Sequence, residues 1–325
     1  MIQLNEQKAQ EFLQKNNIAN GNISKVAGDA SFRSYYRIFA EDKKWILMFA
    51  PPSKENILPF IKIDKLLLEH GFSAPKIFDI DEENGFILLE DFGDDTYSKV
   101  LARSTQSQNN LELDLYKKAC DCLVEIHKIA LPKNIPLYND DLLMREVLLF
   151  VDWYLPFKKI TITAPEREMF QSLWLDLFKQ INKENQVLVL RDYHADNLMI
   201  LPQRKNHQQV ALLDFQDAVI GPKAYDLVSL LEDARRDLNE ENRQKLFDYY
   251  LEKSRCDKLS FIKDYEILSL QRNIKIVGIF SRLSIRDGKE FYLTLLPRVL
   301  NFIEMRVSSN NPIFLQIANL LEKFI

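Results

Sequence analysis

The sequence predicts an α+β protein in two parts, an antiparallel five-stranded sheet with one helix followed by a mostly helical remainder. Three observations carry this. Residues 23–90 contain short runs rich in β-branched and aromatic residues, separated by turn residues. From residue 111 the apolar period becomes that of a helix, and within this helical stretch residues 187–217 return to short apolar runs with acids at their ends. The composition shift near residue 93 divides the chain into 1–92 and 93–325.

The elements follow in order. An opening helix is expected where Leu4, Phe12 and Leu13 stand among polar residues. The runs ISKVA, SYYRIFA and KWILMFA, separated by GDASFR and EDKK, read as three antiparallel strands. A helix from Ile57 to His70 follows Pro51 and Pro52 and is closed by Gly71. PKIFDIDEENGFILLEDFGDD then supplies two more strands, joined at Glu83-Asn84-Gly85. Leu115, Ala119, Cys122, Leu123, Ile126 and Ala130 form one apolar helical stripe. The polar stretch STQSQNN at 104–110 is expected to be a mobile loop. VLVLRDYHADNLMILPQRKNHQQVALLDFQD reads as two apolar strands carrying polar residues on their connections.

Composition narrows the function. With 47 acidic against 43 basic residues and a net charge of −4, the chain lacks the electrostatic footprint of a nucleic-acid binder. No apolar stretch is long enough for a membrane helix, and the first residues lack the pattern of a signal peptide. A cytoplasmic monomer without membrane or nucleic-acid partners is expected. Cys120, Cys122 and Cys256 read as packing residues rather than a disulfide framework. The 8 glycines form neither a dinucleotide fingerprint nor a Walker loop.

The chemistry gathers in 187–217. Arg191-Asp192 is followed at kinase-loop spacing by Asn197, and Asp214 ends the next apolar run. Phosphoryl transfer needs a carboxylate to orient the attacking hydroxyl and Mg²⁺ to neutralise the phosphates. Asp192 suits the base, and the oxygen donors Asn197 and Asp214 suit the metal. Asp and Asn also cap turns, which is the plain alternative for any one of them. A metal hydrolase using Asp192, His194 and Asp196 is a further alternative, although zinc usually comes with a closer ligand framework.

These residues resemble the aminoglycoside phosphotransferase and choline kinase superfamily. More closely, they resemble the anomeric sugar kinases that phosphorylate N-acetylmuramate and N-acetylglucosamine in peptidoglycan recycling. The likeness runs through GDASFRSYYRI (28–38), LMFAPPSKENILPF (47–60), GFILLEDFGD (85–94), LLMREVLLFVDWYL (142–155), LVLRDYHADNLM (188–199), LLDFQDAVIGPKAYDLVSLLEDAR (212–235) and LQRNIKIVGIFSRLSIRDGKEFYLTLLPRV (270–299). It implies a bilobal protein-kinase-like fold and ATP- and Mg²⁺-dependent phosphorylation of an amino sugar. By that likeness Asp192 is the catalytic base, Asn197 and Asp214 hold magnesium, and Arg191 and Asp226 support the catalytic loop. Asp226 reads alternatively as the N-cap of a helix starting at Leu227. The segment with Gly28, Asp29, Ser31, Phe32 and Arg33 would cover the nucleotide phosphates, and Glu90 would stand at the adenine hinge.

The sequence departs from the superfamily pattern in three places. Leu190 replaces the histidine before Arg-Asp, and Gln216 replaces the glycine of the metal segment. Met48 stands where a phosphate-binding strand lysine is expected. Arg33 is the first candidate to supply the missing cation, ahead of Lys54 and Lys62. In the last third, Gln271, Lys275, Gly278 and Arg282 share one helical face, a substrate wall or a solvated surface. Arg272 or Arg282 would suit a lactyl carboxylate. By resemblance, Glu146, Trp153 and Tyr154 would complete the sugar pocket. Two alternatives remain open, a kinase of the choline or aminoglycoside type and a nucleotide-binding pseudokinase module.

Overall fold

The computed structural model describes residues 4–18, 21–28, 32–104, 108–184, 186–309 and 311–324. Two compact units are distinguished, one of residues 1–100 with 196–217 and one of residues 101–195 with 218–325. Residues 93–100 and 196–217, which the division at 92/93 places in the helical part, thus cluster with the sheet.

The first unit opens with α1 (Glu6–Lys15), capped by the Asn5 side chain accepting from the Lys8 N–H. Strands β1 (Asn22–Gly28), β2 (Ser34–Ala40) and β3 (Lys43–Phe49) run antiparallel, as their alternation predicts. Helix α2 (Leu58–Glu69) leads through Gly71 in a left-handed conformation to β4 (Ile77–Asp81) and β5 (Phe86–Glu90). The five-stranded order is β1-β2-β3-β5-β4. Gly85 in the β4–β5 turn has φ 73°, and a Cβ there would overlap the Ala50 carbonyl, so glycine is required twice over.

Period-two alternation gives this sheet two working faces. One packs Ile38, Leu47, Phe49, Phe86 and Leu88 against Ala9, Phe12 and Leu13 of α1. The other carries Tyr35, Arg37, Ile46 and Leu89 towards a cavity. Met48 is on this second face by alternation and is fully buried. The unit is completed by a hairpin of β7 (Leu198–Ile200) and β8 (Val210–Leu212), paired Leu198 to Leu212.

The chain leaves the first unit within α3 (Tyr97–Arg103), after Val100. In the second unit α4 (Gln108–Ile126) buries Leu115, Ala119, Cys122, Leu123 and Ile126, but Ala130 lies past the helix end and is exposed. Of the predicted loop at 104–110, residues 105–107 are outside the described residues, while 108–110 already belong to α4. Then come α5 (Asp140–Leu149), a π-helical turn over Phe150–Tyr154, α6 (Leu155–Phe157) and α7 (Ala164–Phe178). A Thr163–Glu166 capping box starts α7. Strands β6 (Gln186–Val189) and β9 (Val219–Pro222) pair antiparallel, followed by α8 (Tyr225–Leu231), α9 (Glu240–Ser254), α10 (Lys258–Asp287), α11 (Leu296–Val307) and α12 (Leu315–Leu321).

The segment 187–217 departs from the two strands expected. It contributes three short strands to two separate ladders, β6 pairing with β9 just beyond the segment and β7 with β8. Runs of three or four residues are too short for alternation to reveal their partners. Among the described residues, no helix is long and apolar enough to cross a membrane.

Candidate active site

In the first unit a cavity of about 390 Å³ is lined by the apolar Val26, Ile46, Phe60, Leu89 and Phe92, and by the polar Glu90, Asp91, Asp94, Asp196, Asn197 and Asp214. The β7–β8 hairpin brings two of the predicted residues together. Leu213 N–H donates to the Asn197 carbonyl at 2.9 Å, so Asn197 and Asp214 stand at the same end of the ladder. Both face the cavity. Asp214 has φ 56°, a conformation that costs a non-glycine residue energy and recurs at functional sites. Behind it, Phe60 of α2 stacks on Phe215 with ring centroids 5.1 Å apart.

Arg33, 8% exposed, donates from Nη2 to Asp214 Oδ1 at 3.1 Å. Gln216, in the glycine position of the metal segment, donates its amide to the same oxygen at 2.9 Å. Thus the candidate phosphate cation lies on the candidate metal ligand. Phe32 is exposed, its N–H donates to Glu55 Oε1 at 3.2 Å, and Lys54 lies over its ring. Gly28 ends β1, while Asp29 and Ser31 lie outside the described residues. Glu90 accepts from Arg204 at 2.6 Å at the cavity edge. Lys54 and Lys62 are both exposed on the α2 side.

Sequence reasoning missed part of this cavity. Arg37 on β2 is gripped by Asp91 at 2.6 Å and Asp94 at 2.9 Å, which raises its already high pKa and fixes the chain just after β5. Lys99 also lines the cavity. Arg37 falls within the segment 28–38 that carries the likeness but was given no role there, and Lys99 lies outside every such segment; the alternation that puts Arg37 on the same face as Tyr35 was the signal available for it.

The second unit holds Asp192 in the turn after β6. Arg191, at φ 72°, turns the chain, and Asp226 on α8 accepts from the N–H groups of Leu190 at 2.6 Å and Arg191 at 2.8 Å. Asp226 lies inside α8, whose N-cap is Ala224, so the N-cap reading is corrected and the brace is the contact observed. Burial pushes the Asp226 carboxyl up to about 7, against two N–H bonds that favour the carboxylate. Burial also opposes ionisation of Asp192, but the charges of Lys275, His194, Arg272 and Arg191 outweigh it and hold its pKa below the ordinary Asp value.

A buried polar network surrounds this loop. Glu146 of α5 accepts from Lys275 at 3.0 Å and Gln271 at 3.0 Å, and is bonded by Arg191 and Tyr138. Lys275 also donates to the Tyr225 hydroxyl at 3.1 Å. Arg272 donates from Nη2 to Ser229 Oγ at 2.8 Å, while its Nη1 is buried without a partner. Polar residues on an amphipathic face gave no sign of this enclosure: Gln271 and Lys275 face α5 rather than an open wall. Gly278 continues that face, and a Cβ on it would meet Leu149 and Phe150 backbone atoms at less than 3 Å. Tyr154 is fully buried and stacked on Phe150, whereas Trp153 and Arg282 are partly exposed. Tyr138, Tyr225 and Ser229 belong to the network without having been singled out.

The hairpin lines the cavity with Asp196, Asn197 and Asp214 beside the apolar Met199 and Leu213, and a pair of oxygen donors such as Asn197 and Asp214 leaves most coordination positions for phosphate oxygens and water, which suits Mg²⁺. Among the described residues no three His, Cys, Asp or Glu side chains converge on a metal position, so the cage a zinc hydrolase needs is not formed there.

An αL acid ending a hairpin in the first unit and a braced Arg-Asp turn in the second are compatible with a phosphotransferase. The chain belongs to the phosphotransferase enzyme family, whose model matches residues 22–261, and it is a kinase. It is 34% identical over 293 residues to the N-acetylmuramate/N-acetylglucosamine kinase of Neisseria meningitidis serogroup B, covering 87% of this chain and 84% of the relative. The enzyme of the same name from Caulobacter vibrioides is 32% identical over 331 residues, covering 90% of each. Among solved structures, spectinomycin phosphotransferase bound to AMP matches with TM-score 0.66 at 13% identity, over 94% of this chain and 99% of that one. Choline kinase from Streptococcus pneumoniae matches with TM-score 0.63 at 13% identity, over 92% and 99%. The fold is therefore the bilobal kinase-like α+β fold expected, with a five-stranded antiparallel N-lobe and a helical C-lobe.

Proposed function

We propose that this enzyme uses ATP and Mg²⁺ to phosphorylate the anomeric hydroxyl of N-acetylmuramate and N-acetylglucosamine in the cytoplasm. The observation that carries the reading is the relatives of that name, matched over nearly the whole chain at 32–34% identity. The residue pattern is compatible with it: the oxygen donors of a metal site are present, and the acid assigned as base is held ionised.

In this reading Asp192 orients the sugar hydroxyl and accepts its proton late in the transfer, when the attacking oxygen has become acidic enough for a low-pKa carboxylate. Asn197 and Asp214 would hold the magnesium ion, which when bound would neutralise phosphate charge. Arg33 leaves Asp214 for the phosphates when nucleotide enters and substitutes for the strand lysine lost at Met48; a guanidinium binds phosphate oxygens in a fork that an ammonium cannot. Asp226 and Arg191 keep the Asp192 turn in place. Arg272, with a buried donor to spare, and Arg282 are the cations for an acidic sugar substituent, with Trp153 as a ring for the sugar face. Glu146, Lys275 and Tyr154 act from beneath the pocket by holding its floor.

The experiment is an ADP-release assay with N-acetylmuramate, N-acetylglucosamine, choline and kanamycin. Turnover is expected with one or both amino sugars. Turnover with choline or kanamycin alone would replace the acceptor.

A further inference from the structure

The second unit contains a cavity that the proposed reaction does not use. It measures about 390 Å³ and is lined by His127, Lys128, Lys223, Lys253, Ser254 and Arg255. Three chain segments supply these residues: the turn after α4, the connection from β9 to α8, and the end of α9. No acid lines it.

Cations at helix C-termini often serve only to offset the helix dipole. That accounts for Lys253 at the end of α9 and, in part, for Lys128, which pairs with Glu125 at 2.6 Å. It does not account for Lys223, which lies between a strand and a helix N-terminus, or for the convergence of all four cations on one hollow. Among the described residues, neither Lys223 nor Arg255 has an acidic partner.

Directional donors complete the lining. His127 Nδ1 lies 2.8 Å from the Tyr250 hydroxyl, while its buried Nε2 has no protein partner. In the tautomer where Tyr250 donates to Nδ1, Nε2 carries the hydrogen and is a neutral N–H donor. Burial and the nearby Lys223 charge keep this imidazole unprotonated, with its pKa pushed down to about 3. Ser254 adds a hydroxyl, whose hydrogen is directed to the Leu251 carbonyl at 3.4 Å and would have to turn to meet a ligand, and Arg255, held in the αL conformation at φ 52°, adds a guanidinium fork.

We propose that this cavity is a binding site for a phosphate-bearing small anion, inorganic phosphate or a phosphate monoester, separate from the nucleotide cavity of the first unit. Four cations, a neutral N–H and a hydroxyl match the multiple acceptor oxygens and double charge of a phosphate. The volume falls within the range of small-molecule pockets and admits the phosphate with a compact substituent.

The test is calorimetric titration of the full-length protein with inorganic phosphate and, separately, glycerol 3-phosphate, a monoester that is not the product of the proposed reaction, at constant ionic strength and with saturating ATP to fill the nucleotide cavity. One saturable equivalent is expected in the wild-type protein. Affinity is expected to fall at least tenfold in the Lys223→Gln/Arg255→Gln double variant while ATP affinity is unchanged. The tighter of the two ligands identifies the source. Should the double variant misfold, Lys253→Gln, on the exposed end of α9, is expected to lower affinity about threefold. Equal titration of wild type and variants, or binding abolished by ATP, would overturn the site.

Discussion

In the proposed reaction the chemistry turns on Asp192 and Arg33. Asp192→Asn keeps the size and the turn but removes the proton acceptor, so kcat is expected to fall about 10³-fold with ATP affinity unchanged, checked by steady-state kinetics beside nucleotide titration. Wild-type turnover in that variant would remove Asp192 from the reaction. Arg33→Ala removes the guanidinium that rests on Asp214 and that would bind phosphate, so the KM for ATP is expected to rise on the order of 10- to 100-fold. A KM that stays put would pass the phosphate role to Lys54, Lys62 or Lys99. Both residues were legible as candidates because they stand in short motifs with fixed spacing. The conformations that make them useful were not: φ 72° at Arg191 and φ 56° at Asp214 are imposed by tertiary contacts on residues that do not prefer them.

At the scale of elements, two helices carry most of the constraint. Helix α10 approaches α5 and the π-helical turn so closely at Gly278 that Gly278→Ala is expected to cost about 1–3 kcal/mol of stability, measured by denaturant unfolding, because backbone rather than a flexible side chain must move. Helix α2 buries Asp64 completely, with both carboxylate oxygens lacking a partner. Burial, with the Glu90 charge adding to it, pushes that carboxyl up to about 7. The folded state therefore favours the protonated acid. Its contribution to stability is complete below the ordinary Asp value of about 4 and is lost as pH rises to about 7. Asp64→Asn is expected to match wild type near pH 4 and to exceed it by about 2 kcal/mol at pH 8, read from urea midpoints across pH. Parallel pH profiles for the two proteins would show that Asp64 finds a partner in solution. Strands β1 to β5 were readable because each is a run of five to seven residues rich in β-branched and aromatic side chains and bounded by turn residues; β6 to β9 were not, because three or four residues hold too little pattern to name a partner. The polar face of α10 was visible as a stripe, yet nothing in its spacing distinguished an open wall from the enclosed network around Glu146.

Across the whole molecule, the switch from period two to period 3.6 predicted a sheet lobe and a helical lobe, and the chain has both. What that pattern could not convey is that a hairpin embedded in the helical half of the sequence clusters with the sheet, because compactness depends on contacts distant in sequence. The arrangement of oxygen donors on that hairpin leads to a thermodynamic expectation: ATP with Mg²⁺ raises the melting temperature more than ATP alone, and Asp214→Ala removes the difference. The proposed sugar 1-kinase activity is tested most directly by its product. A proton-coupled ³¹P NMR spectrum of the product formed from Mg·ATP and N-acetylmuramate or N-acetylglucosamine is expected to show a phosphate doublet coupled to the anomeric proton. A phosphate coupled instead to the exocyclic methylene protons, or carried by a different alcohol, would contradict it.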